Sequence, residues 1–250
     1  MFGWFKKTKP EKRTAAVRMT TLTNVEVYYL PITKCGSTYL KNVFYYLENG
    51  SELAEGLRIH KEGILPRAKS GDDDKIRNST HAFTVLRDPV DRFISLYFDK
   101  IYGNGPQNFP RIRGMLAQEI GLDLARDLSV EQHRENCMLL IDWLERNLAH
   151  KTDEPINHHW RWQSARLKRV EELELVHLTL DGLDRQLPAL IEDIVPNIRK
   201  AMAAVKSRNR TAKPASGDEL VDDALRSKIE GVYAADKVLY LAAKQRWAQD

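Results

Sequence analysis

A short loop of small and polar residues near the N-terminus, set between a strand pattern and a helix pattern, constrains the fold of this chain more than any other feature. The run Val25–Leu30 is β-branched and aromatic, which predicts a buried strand. After the loop, apolar residues recur at helical spacing at Leu40, Val43, Phe44 and Leu47. A helix that begins here places the backbone N–H groups of Gly36, Ser37 and Thr38 at its N-terminus, where they attract an anion.

The side chains of this loop strengthen the prediction of an anion site. Lys34 adds a full positive charge, and the hydroxyl groups of Ser37 and Thr38 add hydrogen-bond donors. The usual nucleotide P-loop has two glycines followed directly by Lys and then Ser or Thr, whereas here Lys34 precedes the only glycine of the loop. The sequence therefore predicts a phosphate-binding loop that differs from the common nucleotide motif.

A second segment repeats this arrangement about fifty residues further on. Residues 81–86 alternate in a way that predicts a strand, and Pro89 suits the first turn of a helix. Arg87 stands in the turn between them, and Ser95 lies two turns into the helix. Because a guanidinium group binds phosphate oxygens in a forked, two-bond geometry, this segment predicts a second phosphate contact.

Strand and helix patterns alternate along the rest of the chain. Further strands are predicted at 57–60 and 175–178, and helices at 129–148, 183–198 and 218–247, with Pro188 and Pro196 interrupting the second of these helices. This alternation predicts an α/β protein of three layers, α/β/α, in which helices cover both faces of a central parallel sheet. In such sheets ligands bind at the carboxyl ends of the strands, so the two loops should face one another across one site.

The length of 250 residues suits a single α/β domain. We assign it to residues 24–250, after a flexible N-terminal segment at 1–23 that is rich in Lys, Arg and Thr. No apolar run reaches membrane-spanning length, and the N-terminus lacks the order of a secretory signal. Cys35 and Cys137 lie in unlike settings, which indicates free thiols. We therefore expect a cytoplasmic protein without a transmembrane segment.

The net charge of +4 suits anionic ligands and is too modest to indicate a nucleic-acid partner, which we do not expect. Basic residues cluster at 6–13, 161–169 and 206–213. A solvated surface is the default interpretation of such clusters. The first cluster is also compatible with peripheral contact to a membrane. No pattern in the chain specifies an oligomeric state.

The two loop segments together resemble motifs of a known family. The run Lys34-Cys35-Gly36-Ser37-Thr38 after a strand, followed by Arg87, Asp88, Pro89, Arg92 and Ser95 in their observed spacing, is similar to the 5′-phosphosulfate loop and the 3′-phosphate motif of sulfotransferases that use 3′-phosphoadenylyl sulfate (PAPS). The likeness is greatest to the Golgi-type carbohydrate sulfotransferases and their bacterial relatives, and it extends from about residue 25 to about residue 247. Further matches are Asn157-His158-His159-Trp160 with Gln163, Val170-Glu171-Glu172-Leu173, Arg208-Asn209-Arg210-Thr211, and the run from Tyr233 to Tyr240. One departure is that family members usually have Pro next to the loop lysine, whereas Pro31 stands three residues before Lys34.

The resemblance implies a P-loop-like sulfotransferase fold, PAPS as the donor and its desulfated product PAP, and a carbohydrate or glycolipid acceptor. It implies donor binding by Lys34, Cys35, Gly36, Ser37, Thr38, Arg87, Ser95, Arg208, Asn209, Arg210 and Thr211.

Sulfuryl transfer is an in-line displacement, so catalysis consists mostly of alignment and charge neutralisation, by analogy with phosphoryl transfer. Lys34 is the candidate for the electrostatic role. The acceptor hydroxyl must also lose a proton, which requires a His or a carboxylate. His60 is the first candidate because it follows a predicted strand and could open into the same cleft, and Glu62 is the second. If neither is the base, His159 is the next candidate.

The adjacent histidines His158 and His159 do not predict a metal site, because adjacent side chains point in different directions and no third ligand follows at a suitable spacing. We expect His158, His159 and Trp160 to contact the acceptor by hydrogen bonding or stacking. A core position is the alternative for Trp160.

Two other functions remain open on the residues alone. A nucleotide-dependent, kinase-like phosphoryl transferase could use the same layers, although the glycine-lysine order and an acidic strand end for Mg²⁺ are missing from the motifs. A catalytically silent nucleotide-binding domain with a regulatory role could also retain Lys34, Arg87 and Ser95.

Overall fold

The computed structural model of the protein describes residues 19–61, 63–69, 71–103, 108–205 and 217–248. A central sheet in it positions the two loops predicted to bind phosphate. Its strands are β1 (Thr20–Leu22), β2 (Val25–Leu30), β3 (Ala82–Leu86) and β4 (Val176–Thr179), in the order β1-β2-β3-β4. The strands β2, β3 and β4 are parallel, and β1 pairs antiparallel with β2. The sheet is therefore mixed, whereas the patterns predicted a parallel one.

Helices follow each of the parallel strands. In chain order they are α1 (Ser37–Asn49), α2 (Asp73–Asn78), α3 (Pro89–Leu96), α4 (Pro110–Ile120), α5 (Val130–Leu148), α6 (Gln163–Leu167), α7 (Leu183–Ile191), α8 (Ile198–Ala204), α9 (Gly217–Leu220), α10 (Asp223–Val232) and α11 (Ala234–Arg246). A π-helical turn, Tyr97–Tyr102, extends α3, and a 3-10 turn, Lys168–Leu173, extends α6. No helix within the described ranges is long and apolar enough to cross a membrane.

The two faces of the sheet are covered by different helices, because successive strand residues point to opposite sides. Val27 and Tyr29 of β2 pack with α1, α7 and α8, whereas Tyr28 and Leu30 pack with α2, the α6 segment and α11. All five residues of β3 are buried, as expected for a strand that is covered on both sides. This arrangement confirms the predicted α/β/α layers.

A third cluster of buried residues extends the domain beyond the carboxyl end of the sheet. It joins α3 and its π-helical turn to α4, α5 and α10. The predicted helix at 129–148 is confirmed as α5, and its start carries a capping box in which Ser129 and Gln132 satisfy each other's backbone N–H groups. This cluster fixes α3, and through α3 it positions the second predicted loop.

Two predicted elements are wrong in their extent. Residues 57–60 form turns and not a strand, although Ile59 is buried. The predicted helix at 218–247 is divided into α9, α10 and α11. Asp222 caps α10 by accepting from the backbone N–H of Leu225, and α10 ends at Tyr233, whose hydroxyl group donates to the Trp160 carbonyl.

Of the two interruptions predicted in the helix at 183–198, the one at Pro196 is confirmed and the one at Pro188 is wrong. Pro188 is accommodated inside α7, whereas Pro196 lies in the turn between α7 and α8.

Of the segment 1–23, which was predicted to be flexible, residues 1–18 lie outside the described residues. Its described end is ordered, because Met19 is fully buried and residues 20–22 form β1. A strand of this length is too short for its periodicity to be recognised in the sequence.

Candidate active site

The loop between β2 and α1 reverses direction through two residues with a left-handed backbone, Lys34 at φ 67° and Gly36 at φ 74°. The left-handed backbone favours glycine at position 36, and a Cβ atom there would lie 2.6 Å from Cδ1 of Leu180, whose side chain would have to shift. Lys34 adopts the same conformation at a cost in backbone energy, which is typical of residues held for a function. The first N–H groups of α1 begin directly after this turn, as the sequence predicted.

The side chain of Lys34 is largely buried and forms an ion pair. Its Nζ lies 2.7 Å from Oδ2 of Asp99, and Nζ of Lys100 lies 3.2 Å from the same oxygen. Burial lowers the pKa of Lys34, and the hydrogen bond and charge of Asp99 oppose that shift. Burial would raise the pKa of Asp99, but the hydrogen bond from Lys34 and the charges of both lysines lower it overall. Two ammonium groups thus lie around one carboxylate.

Asp99 and Lys100 were not predicted from the sequence as site residues. They lie on the π-helical turn that extends α3, about one turn beyond Ser95. Their helical spacing from Ser95 is the only sequence signal that could have placed them on the site-facing side of α3. Ser95 itself lies on α3 and is partly exposed.

The two predicted loops are in direct contact. Nη1 of Arg87 donates to the carbonyl of Lys34 at 3.2 Å. The side chain of Gln163 then ties both loops together, because its Oε1 accepts from the backbone N–H of Arg87 at 3.0 Å and from Sγ of Cys35 at 3.1 Å. Its Nε2 donates to the carbonyl of Arg87 at 2.9 Å. The expectation that the loops face one another is confirmed.

Asp236 in turn holds Gln163 in place. Its carboxylate accepts from the backbone N–H groups of Gln163 and Ser164 at 2.8 and 2.9 Å, and its side chain is buried. Gln163 and Asp236 belong to segments that matched the family, but neither was predicted as a site residue. Both act through other groups and are positioning residues.

Arg92 connects the first loop to the segment that carries the paired histidines. Its side chain is buried, its Nε donates to the carbonyl of Thr33 at 3.1 Å, and its Nη2 donates to the carbonyl of His159 at 3.3 Å. The guanidinium therefore fixes the backbone of both segments relative to each other. This role depends on contacts 59 and 67 residues apart in the chain, which no local pattern reveals.

His60 reaches the start of α1 from the turn at 57–60. Nε2 of His60 lies 2.9 Å from Oγ1 of Thr38, and Nδ1 lies 3.3 Å from Nζ of Lys41. Because an ammonium group only donates, Nδ1 accepts and the ring proton lies on Nε2. Neighbouring protein atoms displace water from the ring, and with the charges of Lys41 and Lys100 this desolvation lowers the pKa of His60 to about 4. Both nitrogens of the neutral ring are engaged.

His159 has a different arrangement. Its Nδ1 lies 2.8 Å from Oδ1 of Asn157, an acceptor, so the ring proton lies on Nδ1 and Nε2 carries the lone pair. The ring also contacts Phe109 edge to face, with centroids 5.0 Å apart. Burial first, and then the charges of His158, Lys100 and Lys34, lower the pKa of His159 to about 3. His159 is therefore a neutral imidazole whose Nε2 can accept a proton, and it is close enough to Lys34 for that charge to affect its pKa.

Trp160 is a core residue. It is fully buried, its Nε1 donates to Oδ1 of Asn147 at 2.7 Å, and its ring meets that of Trp143 edge to face. A buried indole cannot stack on an acceptor, so the predicted contact is wrong for Trp160, and the alternative of a core position is confirmed.

Five of the predicted site residues, Glu62, Arg208, Asn209, Arg210 and Thr211, lie outside the described residues. Among those that are described, no group of three or more His, Cys, Asp or Glu side chains is arranged to hold a metal ion. Cys35 and Cys137 are both buried free thiols, as predicted.

A family model described as "Sulfotransferase family" matches residues 18–241. Neither a curated protein nor a solved structure matches the chain. The matched region covers both loops, the paired histidines and the segments that hold them.

Proposed function

The chain belongs to the sulfotransferase family, and from this premise we propose that it transfers a sulfuryl group from PAPS to a hydroxyl group of a carbohydrate or glycolipid acceptor. One observation carries the proposal, namely that Gln163 and Arg87 join the Lys34 loop and the β3–α3 loop into one cationic site at the carboxyl ends of β2 and β3. We propose a cytoplasmic location as well, which the two free, buried thiols support.

The groups around the first loop suit the donor's phosphates and sulfate. The N-terminus of α1 offers backbone N–H groups at Gly36, Ser37 and Thr38, and Lys34 adds a positive charge beside them. Arg87 and Ser95 stand on the neighbouring strand end and helix, where they would take the 3′-phosphate. Residues 208–211 complete the proposed donor contacts.

In the proposed reaction the acceptor oxygen forms a bond to sulfur as the bond between sulfur and the 5′-phosphate oxygen breaks. The phosphate takes the electron pair, and a base takes the acceptor proton. Lys34 would neutralise the charge that develops on the leaving oxygen, for which it must exchange its contact with Asp99 for one with the donor.

His159 is our first proposal for the base, ahead of His60 and Glu62. Asn157 fixes the His159 ring in the tautomer whose Nε2 can accept a proton, whereas both nitrogens of His60 already have partners. His159 also lies within the electrostatic range of Lys34, where the transfer would occur.

Transfer should proceed without a divalent metal. We expect the purified protein to move labelled sulfate from PAPS to at least one member of a panel of glycans and glycolipids in the presence of EDTA, with Lys34→Ala protein as the blank. Activity that requires Mg²⁺ and transfers phosphate from ATP would establish the kinase-like alternative instead. Binding of PAP with no transfer to any acceptor would favour the silent, regulatory alternative.

Arg87→Ala should weaken PAP binding by roughly 10- to 100-fold, the usual effect of losing a hydrogen bond to a charged group. The matched control is Arg146→Ala, since Arg146 pairs with Glu119 at the surface of α5. Ser95→Ala should weaken binding less, because it removes a neutral donor. Calorimetric titration with PAP measures all three variants, and an Arg87→Ala protein that binds PAP like the parent would contradict the assignment.

A further inference from the structure

A pocket of about 220 Å³ lies beside the first loop, on the side of residues 31–33. The segment 158–169 contributes His158, Arg161, Arg166 and Arg169 to its lining, and α3 contributes Arg92. The described lining residues include neither Gly36, Ser37 and Thr38 nor Arg87, the groups proposed to hold the donor. Among the described residues, the pocket thus shares no lining residue with the proposed phosphate contacts, although Arg92 belongs to the second motif.

The pocket concentrates positive charge without a counter-charge. Its four arginines are accompanied by no acidic residue in the lining, and within the described ranges no carboxylate pairs with Arg161, Arg166 or Arg169. Some arginines elsewhere do have such partners, as Arg77 does with Asp74 and Arg199 with Glu192. Burial lowers the pKa of Arg166, and the charges of Arg169 and Arg161 lower it further.

Hydrogen bonds hold the rest of the lining in place. Arg92 donates to the carbonyls of Thr33 and His159, and Arg161 donates through Nη2 to the carbonyl of Ile156 at 3.1 Å. Trp162 lines the pocket, and its Nε1 donates to the carbonyl of Val232 at 3.0 Å, which fixes the indole. An indole that is fixed beside a cationic pocket can stack on a sugar ring while the acidic group of that sugar forms hydrogen bonds with the guanidinium groups.

The pocket adjoins the groups proposed for transfer. His158 lines it, and the rings of His158 and His159 are 4.2 Å apart between centroids. Thr33, which also lines the pocket, directly precedes Lys34. A molecule anchored in the pocket would therefore extend toward the proposed base and the proposed catalytic lysine.

We propose that this pocket binds an oxyanion group of the acceptor, a carboxylate or a phosphate or sulfate ester, so that the enzyme acts on an acidic glycan or glycolipid. This inference rests on the proposed sulfuryl transfer and specifies the class of its acceptor. The volume is below that of sites for drug-sized ligands, which suits a single acidic terminal unit of a larger molecule.

Calorimetry with three small probes tests the inference on the full chain, with and without saturating PAP. The probes are methyl glucuronide, methyl glucoside 6-phosphate and the neutral methyl glucoside. We expect at least one acidic probe to bind about 10-fold or more tightly than the neutral one, and Arg166→Met and Arg169→Met to weaken that binding by roughly 10- to 100-fold. The acidic probe that binds better distinguishes a carboxylate from a phosphate ester.

Lys168→Met is the matched control, because Lys168 is an exposed cation of the same segment that does not line the pocket. It should leave probe binding unchanged, and both arginine variants should retain the parent's affinity for PAP. Equal binding of acidic and neutral probes, or no binding of an acidic probe at millimolar concentration, would overturn the inference. A loss of PAP affinity in Arg166→Met matching its loss of probe affinity would also overturn it, by assigning the pocket to the donor.

The same titrations separate this inference from the function on which it rests. If acidic probes bind through Arg166 while the parent protein fails to bind PAP, the anion pocket stands and the proposed sulfuryl transfer fails.

Discussion

Replacing Lys34 with alanine should lower kcat by about 100- to 1,000-fold, the effect of removing one group that stabilises developing charge. Charge accumulates on the leaving phosphate oxygen in the transition state, so a cation beside that oxygen contributes more there than in the bound ground state. Alanine, like lysine, has a Cβ atom and is therefore also strained by the left-handed backbone at position 34. The substitution thus removes the ammonium group without relieving the backbone strain of the loop. The affinity for PAP should change much less than kcat.

Lys228→Ala is the control for the loss of one positive charge, since Lys228 of α10 pairs with Asp142 and Glu145 of α5. Steady-state rates with saturating PAPS and acceptor give kcat, and calorimetry gives the PAP affinity. A Lys34→Ala enzyme whose kcat stays within a few-fold of the parent would remove Lys34 from the chemical step.

Replacing His159 with alanine should reduce turnover by about 100- to 10,000-fold, the usual contribution of a positioned general base. His60→Ala should have a smaller effect on turnover, because its contacts with Thr38 and Lys41 occupy both ring nitrogens. Both variants should keep the parent's affinity for PAP within a few-fold. Glu62→Ala completes the set of candidates.

The pH dependence identifies the base independently of the size of the rate effect. A base must be unprotonated, so activity is lost as the pH falls through its pKa. In the free protein the pKa of His159 is lowered to about 3, and the negative charges of bound PAP should raise it because they favour the imidazolium. NMR titration of the histidine ring protons with and without PAP measures this shift directly.

The acid limb of the rate profile should disappear in His159→Ala and persist in His60→Ala. The opposite result would return the role to His60, and loss of the limb only in Glu62→Ala would assign the role to the carboxylate. Asn157→Ala offers a further check, since it removes the acceptor that fixes the His159 tautomer and should reduce kcat without changing PAP binding.

The two loops at the carboxyl ends of β2 and β3 could be located from local sequence. The β2–α1 and β3–α3 turns each combine a strand pattern, a helix pattern and a residue suited to the turn, and the structure confirms these elements. The failures have causes that lie outside the local sequence. Residues 57–60 are apolar enough to suggest a strand but have no partner in the sheet, and the long C-terminal helix pattern is broken where Tyr233 turns inward to bond with Trp160.

By itself the sequence determined the layered α/β architecture, the two loops and the positive charge beside them, because periodicity, glycine placement and residue chemistry act over a few neighbouring positions. Only the tertiary structure decided which distant groups share the site. The ion pair of Lys34 with Asp99 spans 65 residues, and the arginine pocket combines residues 31–33, 92 and 158–169. Such contacts arise when packed helices bring separate segments together, and no local pattern encodes the distance between them.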